Sequence, residues 1–569
     1  MSDSLNIADA LFARAAEAPS RVALIERGRR GERTTTYREL AGEVSTVAAN
    51  LADIGIVPGL RVALMVKPGR AFFVLMFALF RAGAVPVLID PGIDRRMLKQ
   101  CLDEAAPEAF VGIPLAHAAR IALGWARASV RILVTVGPRW FWGGHRYRDL
   151  AAGARSALRP LRHQDGAPPA ATVGGASAPT RDATLAAILF TSGSTGVPKG
   201  VEYTHANFAA QVAMIRDAFD IRPGEVDLPT FAPFALFDPA LGMTTVLPRM
   251  DFARPGNADP RELVEAIVRH RVTTMFGSPA VLELLARHGA RLPGVRRVIS
   301  AGAPVRPEIV AAVRALLDPG AAIYTPYGAT ECLPVAIVEA QEIETIGAAG
   351  TARGEGILVG RPVAPNDVRI IAIDDAPIAA FGDARVVAAG TIGEITVAGP
   401  TATARYFRRD AATAAAKLRE RVAGAGERIV HRMGDLGAFD AQGRLWYAGR
   451  KSHRVETIAG PRYTETVEGV FNTHRAVRRT ALVGVGARGA QRPVVCVELA
   501  AGEGADAWPR IERELRAIGE ENRVTRGIAT FLLHARFPVD IRHNAKIARE
   551  RLALWAAQRL ARDSGTERR

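Results

Sequence analysis

The N-terminal quarter of the chain alternates short apolar runs with longer stretches of helical character, and this alternation restricts the fold most. Apolar runs of this kind are typical of buried strands, and helices between them give βαβ units around a largely parallel sheet. We therefore predict an α/β architecture from about residue 23 to residue 152. The runs that support it are RVALMV (61–66), VPVLID (85–90), AFVGI (109–113) and RILVTV (131–136).

The most apolar stretch, residues 71–89, is the one place where a membrane span has to be considered. Its sequence, AFFVLMFALFRAGAVPVLI, is split by Arg81 and broken again by Gly83 and Pro86. A spanning helix needs about 20 consecutive apolar residues. A buried helix followed by a core strand is therefore the better interpretation, and we predict no transmembrane segment.

The N-terminus and the cysteines favour a cytoplasmic protein. Residues 1–20 are amphipathic and carry acidic side chains early, which is not the pattern of a secretory signal. The cysteines are far apart and have no paired spacing, so neither a disulfide framework nor a metal cluster is predicted. They are Cys101, Cys332 and Cys496.

The remaining sequence predicts a second α/β block, a smaller β-rich subdomain and a small α+β domain. Residues 153–182 are rich in Ala, Pro, Gly and Ser without periodicity, which is typical of a flexible loop. We predict an N-terminal domain, residues 1–450, that contains two α/β sheet subdomains and the β-rich subdomain, and an α+β domain, residues 451–569. The strand-like runs are LAAILF (185–190), TTMFG (273–277), VRRVIS (295–300), AAIYTPYG (321–328), VRIIAI (368–373), GEITVAG (393–399), RTALVGVG (479–486) and VVCVELA (494–500).

The chain is basic, with 74 lysines and arginines against 58 aspartates and glutamates and a formal charge of +16 at pH 7. A basic excess attracts nucleic acid or anionic lipid when it is concentrated. Here it is dispersed, and its densest points are the run RGRR at 27–30 and the terminal pair Arg568 and Arg569. A solvated arginine-rich surface explains this pattern, and we predict no nucleic-acid partner.

The strongest local signal is the run TSGSTGVPKG at residues 191–200, which directly follows the apolar run LAAILF. Glycines and small hydroxylated residues let backbone N–H groups close around phosphate oxygens, and Lys199 adds a point charge. The spacing of a Walker A loop is absent, so this is a different kind of phosphate loop. The candidate phosphate-binding residues are Thr191, Ser192, Gly193, Ser194, Thr195, Gly196 and Lys199.

This run resembles the phosphate-binding signature of the adenylate-forming superfamily, which includes acyl-CoA synthetases, peptide-synthetase adenylation domains and luciferases. Other motifs of that superfamily follow in the same order and cover about residues 6–556. The segment YGATE resembles its YGxTE motif and consists of Tyr327, Gly328, Ala329, Thr330 and Glu331. Its tyrosine offers a ring to adenine, its threonine a hydroxyl to phosphate and its glutamate a hard oxygen ligand to Mg²⁺. The resemblance implies ATP and Mg²⁺ as cofactors and a mobile C-terminal domain.

Further matches extend the predicted nucleotide site. Asp435, in the triplet MGD, resembles the superfamily's ribose-binding aspartate, and Arg450 resembles its arginine at ribose and phosphate. The turn after the run VRRVIS resembles its second adenine wall. The residues of that turn are Gly302, Ala303 and Pro304.

The segment PVDIRHNAK at residues 538–546 resembles the superfamily's P-x-T-x-x-G-K motif, with Ala545 in place of the glycine. The resemblance gives Lys546 the role of the lysine that stabilises charge as a carboxylate attacks the α-phosphate. Together with Glu331 and Thr191 it completes the catalytic set that the resemblance implies.

Some residues depart from the common pattern of the superfamily. The hinge position after the Gly-Arg pair is Ser452 instead of Asp or Lys, and Pro461 is unusual in the loop that follows. The region that usually contains a histidine reads LPTFAPFALFDP instead. Its phenylalanines suit an apolar acyl chain and equally suit a hydrophobic core. They are Phe231, Phe234 and Phe237.

Longer segments resemble a lactone-forming subfamily that serves long-chain olefin biosynthesis in bacteria. They are LMFALFRAGAVPVLIDPGIDRR (75–96), PFALFDPALG (233–242), TPYGATECLPV (325–335) and FPVDIRHNAKIARE (537–550). The resemblance implies a long-chain 2-alkyl-3-hydroxy acid as substrate, and a β-lactone, AMP and pyrophosphate as products. The 3-hydroxyl is a tethered nucleophile, which replaces CoA as acceptor. A hydroxyl benefits from a general base, and His453 is the candidate.

Two other interpretations of the function stay open. A long-chain acyl-CoA synthetase or acyl-AMP ligase would share every motif above, and a nucleotide-sensing module would bind ATP without turnover. The resemblance to the lactone-forming subfamily also implies other enzymes of the olefin pathway as partners, namely a β-lactone decarboxylase and a ketoacid reductase.

Overall fold

The computed structural model describes residues 6–28, 31–90, 93–153, 184–191, 197–424, 426–539 and 547–566. The chain divides into two compact units. The first comprises the chain up to Gly277 together with Ala290–Arg297 and Pro400–Thr413, and the second comprises Ser278–Gly289, Val298–Gly399 and the chain from Ala414 onward. The loop predicted at residues 153–182 lies, except for Gly153, outside the described residues.

A seven-stranded sheet in the first unit confirms the predicted βαβ organisation. Its pairs are parallel except for the last, in which Leu185–Phe190 runs antiparallel to Gly200–Thr204. Every apolar run predicted between residues 61 and 136 is a strand of this sheet. Its spatial order is His145–Arg146, Ile132–Thr135, Ala109–Gly112, Arg61–Met65, Val85–Leu88, Leu185–Phe190 and Gly200–Thr204.

Five further strands of the first unit form a second, mostly parallel sheet segment. Only the hairpin of Val22–Gly28 and Gly31–Thr36 is antiparallel. The strands, in spatial order, are Thr274–Phe276, Val226–Pro229, Thr244–Leu247, Val22–Gly28 and Gly31–Thr36.

The helices of the first unit connect and cover these strands. Several begin at a side chain that caps them; for example, Thr204 and Asn207 form a reciprocal capping box at the start of His205–Ala218. The helices are Ile7–Glu17, Tyr37–Asp53, Arg70–Arg81, Arg95–Ala105, Pro114–Leu123, Tyr147–Ala151, His205–Ala218, Ala232–Ala235, Asp238–Leu241 and Pro260–His270, with a 3₁₀ turn at Pro255–Asn257.

The apolar stretch 71–89 is the buried helix and core strand that its breaks predict. Residues Phe72 to Phe80 are all buried within the helix Arg70–Arg81, and the strand Val85–Leu88 follows. A helix that is apolar on every side belongs inside a large core. Within the described ranges, no helix combines the length and the apolar character that crossing a membrane requires.

An antiparallel sheet forms the centre of the second unit and contains the β-rich subdomain that the sequence predicts. In spatial order its strands are Ala322–Ala329, Cys332–Glu339, Ile357–Pro362, Leu445–Arg450, Gly426–Phe439, Gly393–Ala398 and Asp367–Ile371, and Lys417–Val422 pairs with Gly426–Phe439 as a branch. The helices before residue 450 are Pro279–His288, Pro307–Arg314, Ala340–Glu342 and Ala348–Ala352, with a π-helical turn at Ile343–Gly347 and a 3₁₀ turn at Phe381–Asp383. The strand Arg297–Ile299 and the helix Asp410–Ala416 contain residues of both units.

The chain after residue 450 has α+β structure and a core of its own. A cluster of buried residues that includes Val467, Phe471 and Leu515 draws all its members from this part of the chain. The domain boundary at residues 450 and 451 stays a prediction. The elements are the 3₁₀ turns Lys451–His453 and Ala505–Ala507, the hairpin Val455–Thr457 and Gly460–Arg462, the sheet Val477–Val485, Arg492–Leu499 and Thr530–Leu533, and the helices Thr464–Phe471, Trp508–Glu521 and Arg549–Thr566.

Candidate active site

The predicted phosphate loop is closed at its base by Thr191 and Lys199. The Thr191 N–H donates to the Lys199 carbonyl at 3.0 Å, and the Lys199 N–H donates to Thr191 Oγ1 at 3.1 Å. These two bonds extend the hairpin of Leu185–Phe190 and Gly200–Thr204 by one step and fix where the loop begins and ends. Ser192, Gly193, Ser194, Thr195 and Gly196 lie outside the described residues, so their contact with phosphate stays a prediction.

The Lys199 side chain lies over an aromatic ring that was not predicted from the sequence. Its Nζ lies 4.8 Å from the ring centroid of Tyr406, which is buried. The segment around Tyr406 runs along the strand Gly200–Thr204, since the Phe407 N–H donates to the Gly200 carbonyl at 2.7 Å. A cation over an aromatic face gains about 0.5–1 kcal/mol at an exposed site. Tyr406 therefore positions the charge of Lys199 beside the base of the loop.

The second unit brings Tyr327 and Asp435 together. Tyr327 lies near the end of the strand Ala322–Ala329, and Asp435 lies within the long strand Gly426–Phe439. The Tyr327 hydroxyl donates a 2.7 Å hydrogen bond to Oδ2 of Asp435, whose exposed fraction is 3%. Burial raises the pKa of Asp435, while Arg450 and the Tyr327 hydroxyl act in the opposite direction.

Arg450 stands directly opposite Asp435 in the antiparallel pair of Gly426–Phe439 and Leu445–Arg450. Its Nη1 lies 3.0 Å from Oδ1 of Asp435, and the carboxylate raises the pKa of the guanidinium. Oδ1 is buried, and no donor among the described residues is aligned to hydrogen-bond it. A buried carboxylate oxygen with this free capacity fits the hydroxyl of a ribose.

Gly449 lets the backbone beside Arg450 approach the following helix. Its φ is +121°, and a Cβ at this position would lie 2.1 Å from Oγ1 of Thr464, the first residue of the helix Thr464–Phe471. A larger residue here would be strained by this φ and would force either the Thr464 side chain or the strand to shift.

A second tyrosine, Tyr447, lies beside Tyr327. Its ring centroid lies 6.0 Å from that of Tyr327, and burial raises the pKa of its hydroxyl. Glu331 is close enough for its charge to raise the pKa of both Asp435 and Arg450. The structure thus places Tyr327, Glu331, Asp435 and Arg450, four predicted residues, around one position in the second unit.

The predicted second adenine wall is a turn between the strand Arg297–Ile299 and the helix Pro307–Arg314. Gly302 adopts a φ of +98°, which favours glycine. The N–H of Ser300, just before the turn, donates to the Tyr324 carbonyl at 2.9 Å, so the turn starts beside the strand that carries Tyr327. The roles of Gly302, Ala303 and Pro304 toward adenine stay predictions.

His453, the predicted lactonisation base, is largely buried next to the helix Arg549–Thr566. Its Nε2 lies 3.3 Å from Oε1 of Glu550. Burial and the nearby Arg549 lower its pKa to about 4, so the imidazole is neutral at physiological pH. A neutral ring can accept a proton, but a base with so low a pKa is weak. Lys546 lies outside the described residues.

The phenylalanines of the segment LPTFAPFALFDP form one cluster in the first unit. The ring centroids of Phe231 and Phe234 lie 5.6 Å apart, and those of Phe234 and Phe237 lie 6.4 Å apart. Phe276, which the sequence analysis missed, stacks on Phe234 at 4.1 Å with an interplanar angle of 16°. All three predicted rings are partly buried, so they share features of a core and of a pocket wall. Their role as an acyl pocket stays a prediction.

Two buried carboxyl groups, one at each end of the segment that carries the phenylalanines, are hydrogen-bonded to each other. Asp227 lies in the strand Val226–Pro229, before the phenylalanines, and Asp238 begins the short helix Asp238–Leu241, after them. A side-chain hydrogen bond joins the two carboxyl groups, and Thr245 Oγ1 donates to Oδ2 of Asp238 at 2.8 Å. Burial raises the pKa of Asp238 to about 7, and burial together with the charge of Asp238 raises that of Asp227. The pair therefore retains a proton at neutral pH.

Known proteins share this chain's sequence and fold over nearly its whole length. Two curated relatives, the olefin beta-lactone synthetases of Xanthomonas campestris pv. campestris and Stenotrophomonas maltophilia, are each 56% identical to it. The alignments cover 98% of this chain and 98% and 99% of those proteins. Among solved structures, O-succinylbenzoate Coenzyme A synthetase from Bacillus subtilis, in complex with ATP and magnesium ion, superposes with a TM-score of 0.71 at 21% identity. That superposition covers 95% of this chain and 98% of the other.

The family model described as "AMP-binding enzyme" matches residues 11–407, which is more than half of the chain. This range contains the phosphate loop, the YGATE segment and the phenylalanine cluster. The structure and the match agree in architecture, since adenylate-forming enzymes combine large N-terminal sheets with a small C-terminal α+β part. This chain belongs to the AMP-binding enzyme family.

Proposed function

We propose that this chain is an olefin β-lactone synthetase. It activates the carboxylate of a long-chain 2-alkyl-3-hydroxy acid with ATP and then closes the acid to a β-lactone. The observation that carries the proposal is the identity of 56% over 98% of the chain to two proteins of that name. The cluster of Tyr327, Asp435 and Arg450 supports the use of a nucleotide.

The residues of the second unit suit the nucleoside part of ATP. The Tyr327 ring offers a face to adenine, and the Tyr447 ring extends the apolar surface beside it. Asp435 accepts from the ribose hydroxyls through Oδ1, which lies 3.0 Å from Arg450 Nη1 but receives no aligned hydrogen bond from a described donor. Arg450 favours the ionised form of this carboxylate and adds positive charge. The magnesium ion in the B. subtilis enzyme supports Mg²⁺ as a cofactor here. Glu331 would hold it, and the ion would supply charge neutralisation at the phosphates.

The first step is the attack of the substrate carboxylate on the α-phosphate. One carboxylate oxygen forms the new bond to phosphorus, and the bond to the bridging oxygen breaks, so that pyrophosphate leaves. The loop that begins at Thr191 and ends at Lys199 binds the departing phosphates, and Lys546 stabilises charge on the α-phosphate. This reaction needs positioning and electrostatic stabilisation more than covalent help from the protein.

The second step uses the substrate's own 3-hydroxyl. Its oxygen attacks the acyl-AMP carbonyl, its proton leaves to a base, and the carbonyl–phosphate oxygen bond breaks to release AMP. Effective concentrations of tethered nucleophiles are high enough to replace a separate acceptor. His453 is neutral and can take this proton, although its pKa of about 4 makes it a weak base. An apolar pocket lined by Phe231, Phe234 and Phe237 would hold the alkyl chains.

The chemistry of the proposed substrate and product also defines the neighbouring reactions. A 3-hydroxy acid is formed by reduction of a 3-keto acid, so a ketoacid reductase would supply the substrate. A β-lactone loses CO₂ to give an olefin, so a β-lactone decarboxylase would consume the product.

An acceptor competition separates this proposal from a long-chain acyl-CoA synthetase or acyl-AMP ligase. The enzyme is incubated with ATP, Mg²⁺ and a 2-alkyl-3-hydroxy acid, with and without CoA, and the organic products are identified by mass. We expect the same β-lactone in both reactions. Formation of acyl-CoA that requires added CoA, with no lactone, would assign the chain to the synthetases instead. A stable acyl-AMP as the end product would assign it to the ligases.

A further inference from the structure

One long stretch of the first unit carries no acidic side chain. From residue 109 to residue 148 it contains no aspartate or glutamate but six arginines. All formal charges of this stretch are thus positive. The arginines are Arg120, Arg127, Arg131, Arg139, Arg146 and Arg148.

The same stretch exposes large apolar side chains. The exposed fraction is 80% for Phe141, 53% for Trp140 and 70% for Leu115, and Ile121 and Leu123 are exposed as well. Trp140 and Phe141 lie on the loop after the strand Ile132–Thr135, and the others lie on the helix Pro114–Leu123. The loop and the start of the helix are neighbours, since an added Cβ at Gly137 would lie 3.5 Å from Cδ of Pro114.

The exposed aromatic residues are held outward by a buried anchor. Trp142 stacks on the buried ring of His117 at 5.1 Å and donates from Nε1 to Thr135 Oγ1 at 3.0 Å. Arg139 bridges the loop by donating to the Gly144 carbonyl. The loop is therefore fixed from below, while Trp140 and Phe141 remain in solvent.

Of the carboxylates next to this stretch, Asp149 pairs with Arg148 of the stretch at 3.4 Å, and two others pair with cations outside it. Asp103 accepts from the Ala126 N–H at 3.1 Å and forms an ion pair with Lys99. Glu108 lies 2.9 Å from Arg61. The charges of Asp103 and Glu108 are thus largely compensated, and the arginines other than Arg148 leave this surface with a net positive charge.

We propose that this surface, defined by Leu115, Arg139, Trp140 and Phe141, docks the enzyme on an anionic lipid bilayer. Tryptophan and phenylalanine insert at the boundary between headgroups and acyl chains, and arginine adds attraction to anionic headgroups. Solvated aromatic side chains that a fold holds in place are typical of an interaction surface. A lipid occupant fits better than nucleic acid because the exposed side chains are mainly apolar, with aliphatic Leu115 beside the rings.

Vesicle co-sedimentation of the full chain, without ATP or acid, tests the proposal independently of catalysis. Vesicles of pure phosphatidylcholine are compared with vesicles that also contain phosphatidylglycerol. We expect binding to the anionic vesicles that weakens with added salt. The double variant Trp140→Ser/Phe141→Ser should lose at least about ten-fold in partitioning, since each ring contributes its burial, and Arg139→Gln about five-fold. Val268→Ser, which removes an exposed apolar side chain elsewhere in the first unit, should bind like the wild type.

A melting curve and pyrophosphate release with a short-chain hydroxy acid check that each variant is folded. Absence of vesicle binding by the wild type would overturn the proposal. Equal binding of wild type and the double variant would place the lipid contact elsewhere and overturn it too. Binding of a DNA duplex that the double variant loses, with no vesicle binding, would assign the surface to nucleic acid.

Discussion

The Tyr327 hydroxyl donates a 2.7 Å hydrogen bond to Asp435, although the two residues are 108 positions apart in the chain. The bond links the tyrosine of the YGATE segment to the aspartate predicted to bind ribose. Tyr327, which is predicted to offer a ring to adenine, therefore also fixes the orientation of a buried carboxylate. This link makes the nucleotide site of the second unit testable by small substitutions.

Tyr327→Phe keeps the ring and removes the hydroxyl. A hydrogen bond to a charged acceptor contributes about 1.5–3 kcal/mol, so we expect the KM for ATP to rise about ten-fold or more, with a smaller change in kcat. Pyrophosphate release against ATP concentration measures this. Tyr147→Phe is the matched control, since it removes a phenol–carboxylate bond to Glu43 in the first unit. An unchanged KM for Tyr327→Phe would show that the bond has no part in ATP binding.

Glu331→Gln should weaken the Mg²⁺ dependence of turnover, because one anionic oxygen ligand is replaced by a neutral amide. We expect the magnesium concentration at half-maximal rate to increase, while the rate at saturating magnesium recovers in part. Glu339→Gln, on the exposed end of the strand Cys332–Glu339, is the control. Superimposable magnesium titrations of wild type and Glu331→Gln would mean that Glu331 is structural.

Lys546→Ala should slow adenylate formation by roughly 10²–10³-fold, the usual loss for one charged transition-state contact. ATP binding should persist, since the lysine is proposed to act on the α-phosphate in the transition state. Lys99→Ala, which removes a surface lysine paired with Asp103, serves as control. Isotope exchange between pyrophosphate and ATP reports the step directly, and an unimpaired exchange rate would remove Lys546 from the site.

The carboxyl pair Asp227 and Asp238 predicts a pH effect on stability. The pKa of Asp238 is raised from 3.8 to about 7 in the folded state, so the folded chain binds more protons than the unfolded chain between these values. The contribution of this group to the free energy of unfolding is therefore greatest below about pH 4. It falls as the pH rises toward 7, by about 1.4 kcal/mol per pH unit and proton. Asp227→Asn, which can donate to Asp238 without ionising, should flatten this decline. The difference in Tm between variant and wild type across pH 5–9 checks it, and a constant difference would contradict it.

Most strands could be predicted from the sequence because their residues are apolar without interruption. The runs LAAILF and RILVTV became the strands Leu185–Phe190 and Ile132–Thr135. The long strand Gly426–Phe439 was not predicted, because charged residues interrupt its apolar pattern. One of them, Arg432, is buried in an ion pair with Glu394 at 2.6 Å. A buried charge whose partner lies on another strand looks like a surface residue in the sequence.

The candidate site, like the fold, could be predicted from the sequence only in part. Motif spacing pointed to Tyr327, Asp435 and Arg450 one by one, but the register that places Asp435 opposite Arg450 exists only in the folded sheet. Tyr406 and Phe276 were missed since each is an aromatic residue in a buried context without a local motif. Their roles depend on contacts with Lys199 and Phe234 that only the tertiary structure creates.

In the proposed reaction ATP converts the carboxylate to an acyl-AMP, and the 3-hydroxyl then displaces AMP from the carbonyl carbon. Oxygen labelling tests this sequence most directly. A 2-alkyl-3-hydroxy acid with both carboxylate oxygens labelled as ¹⁸O is converted with ATP and without CoA, and the products are weighed by mass spectrometry. We expect one ¹⁸O in AMP and one in the β-lactone, because one carboxylate oxygen leaves with phosphorus. A β-lactone that retains both labels, together with unlabelled AMP, would contradict it, since the carboxylate would then have displaced an activated 3-hydroxyl.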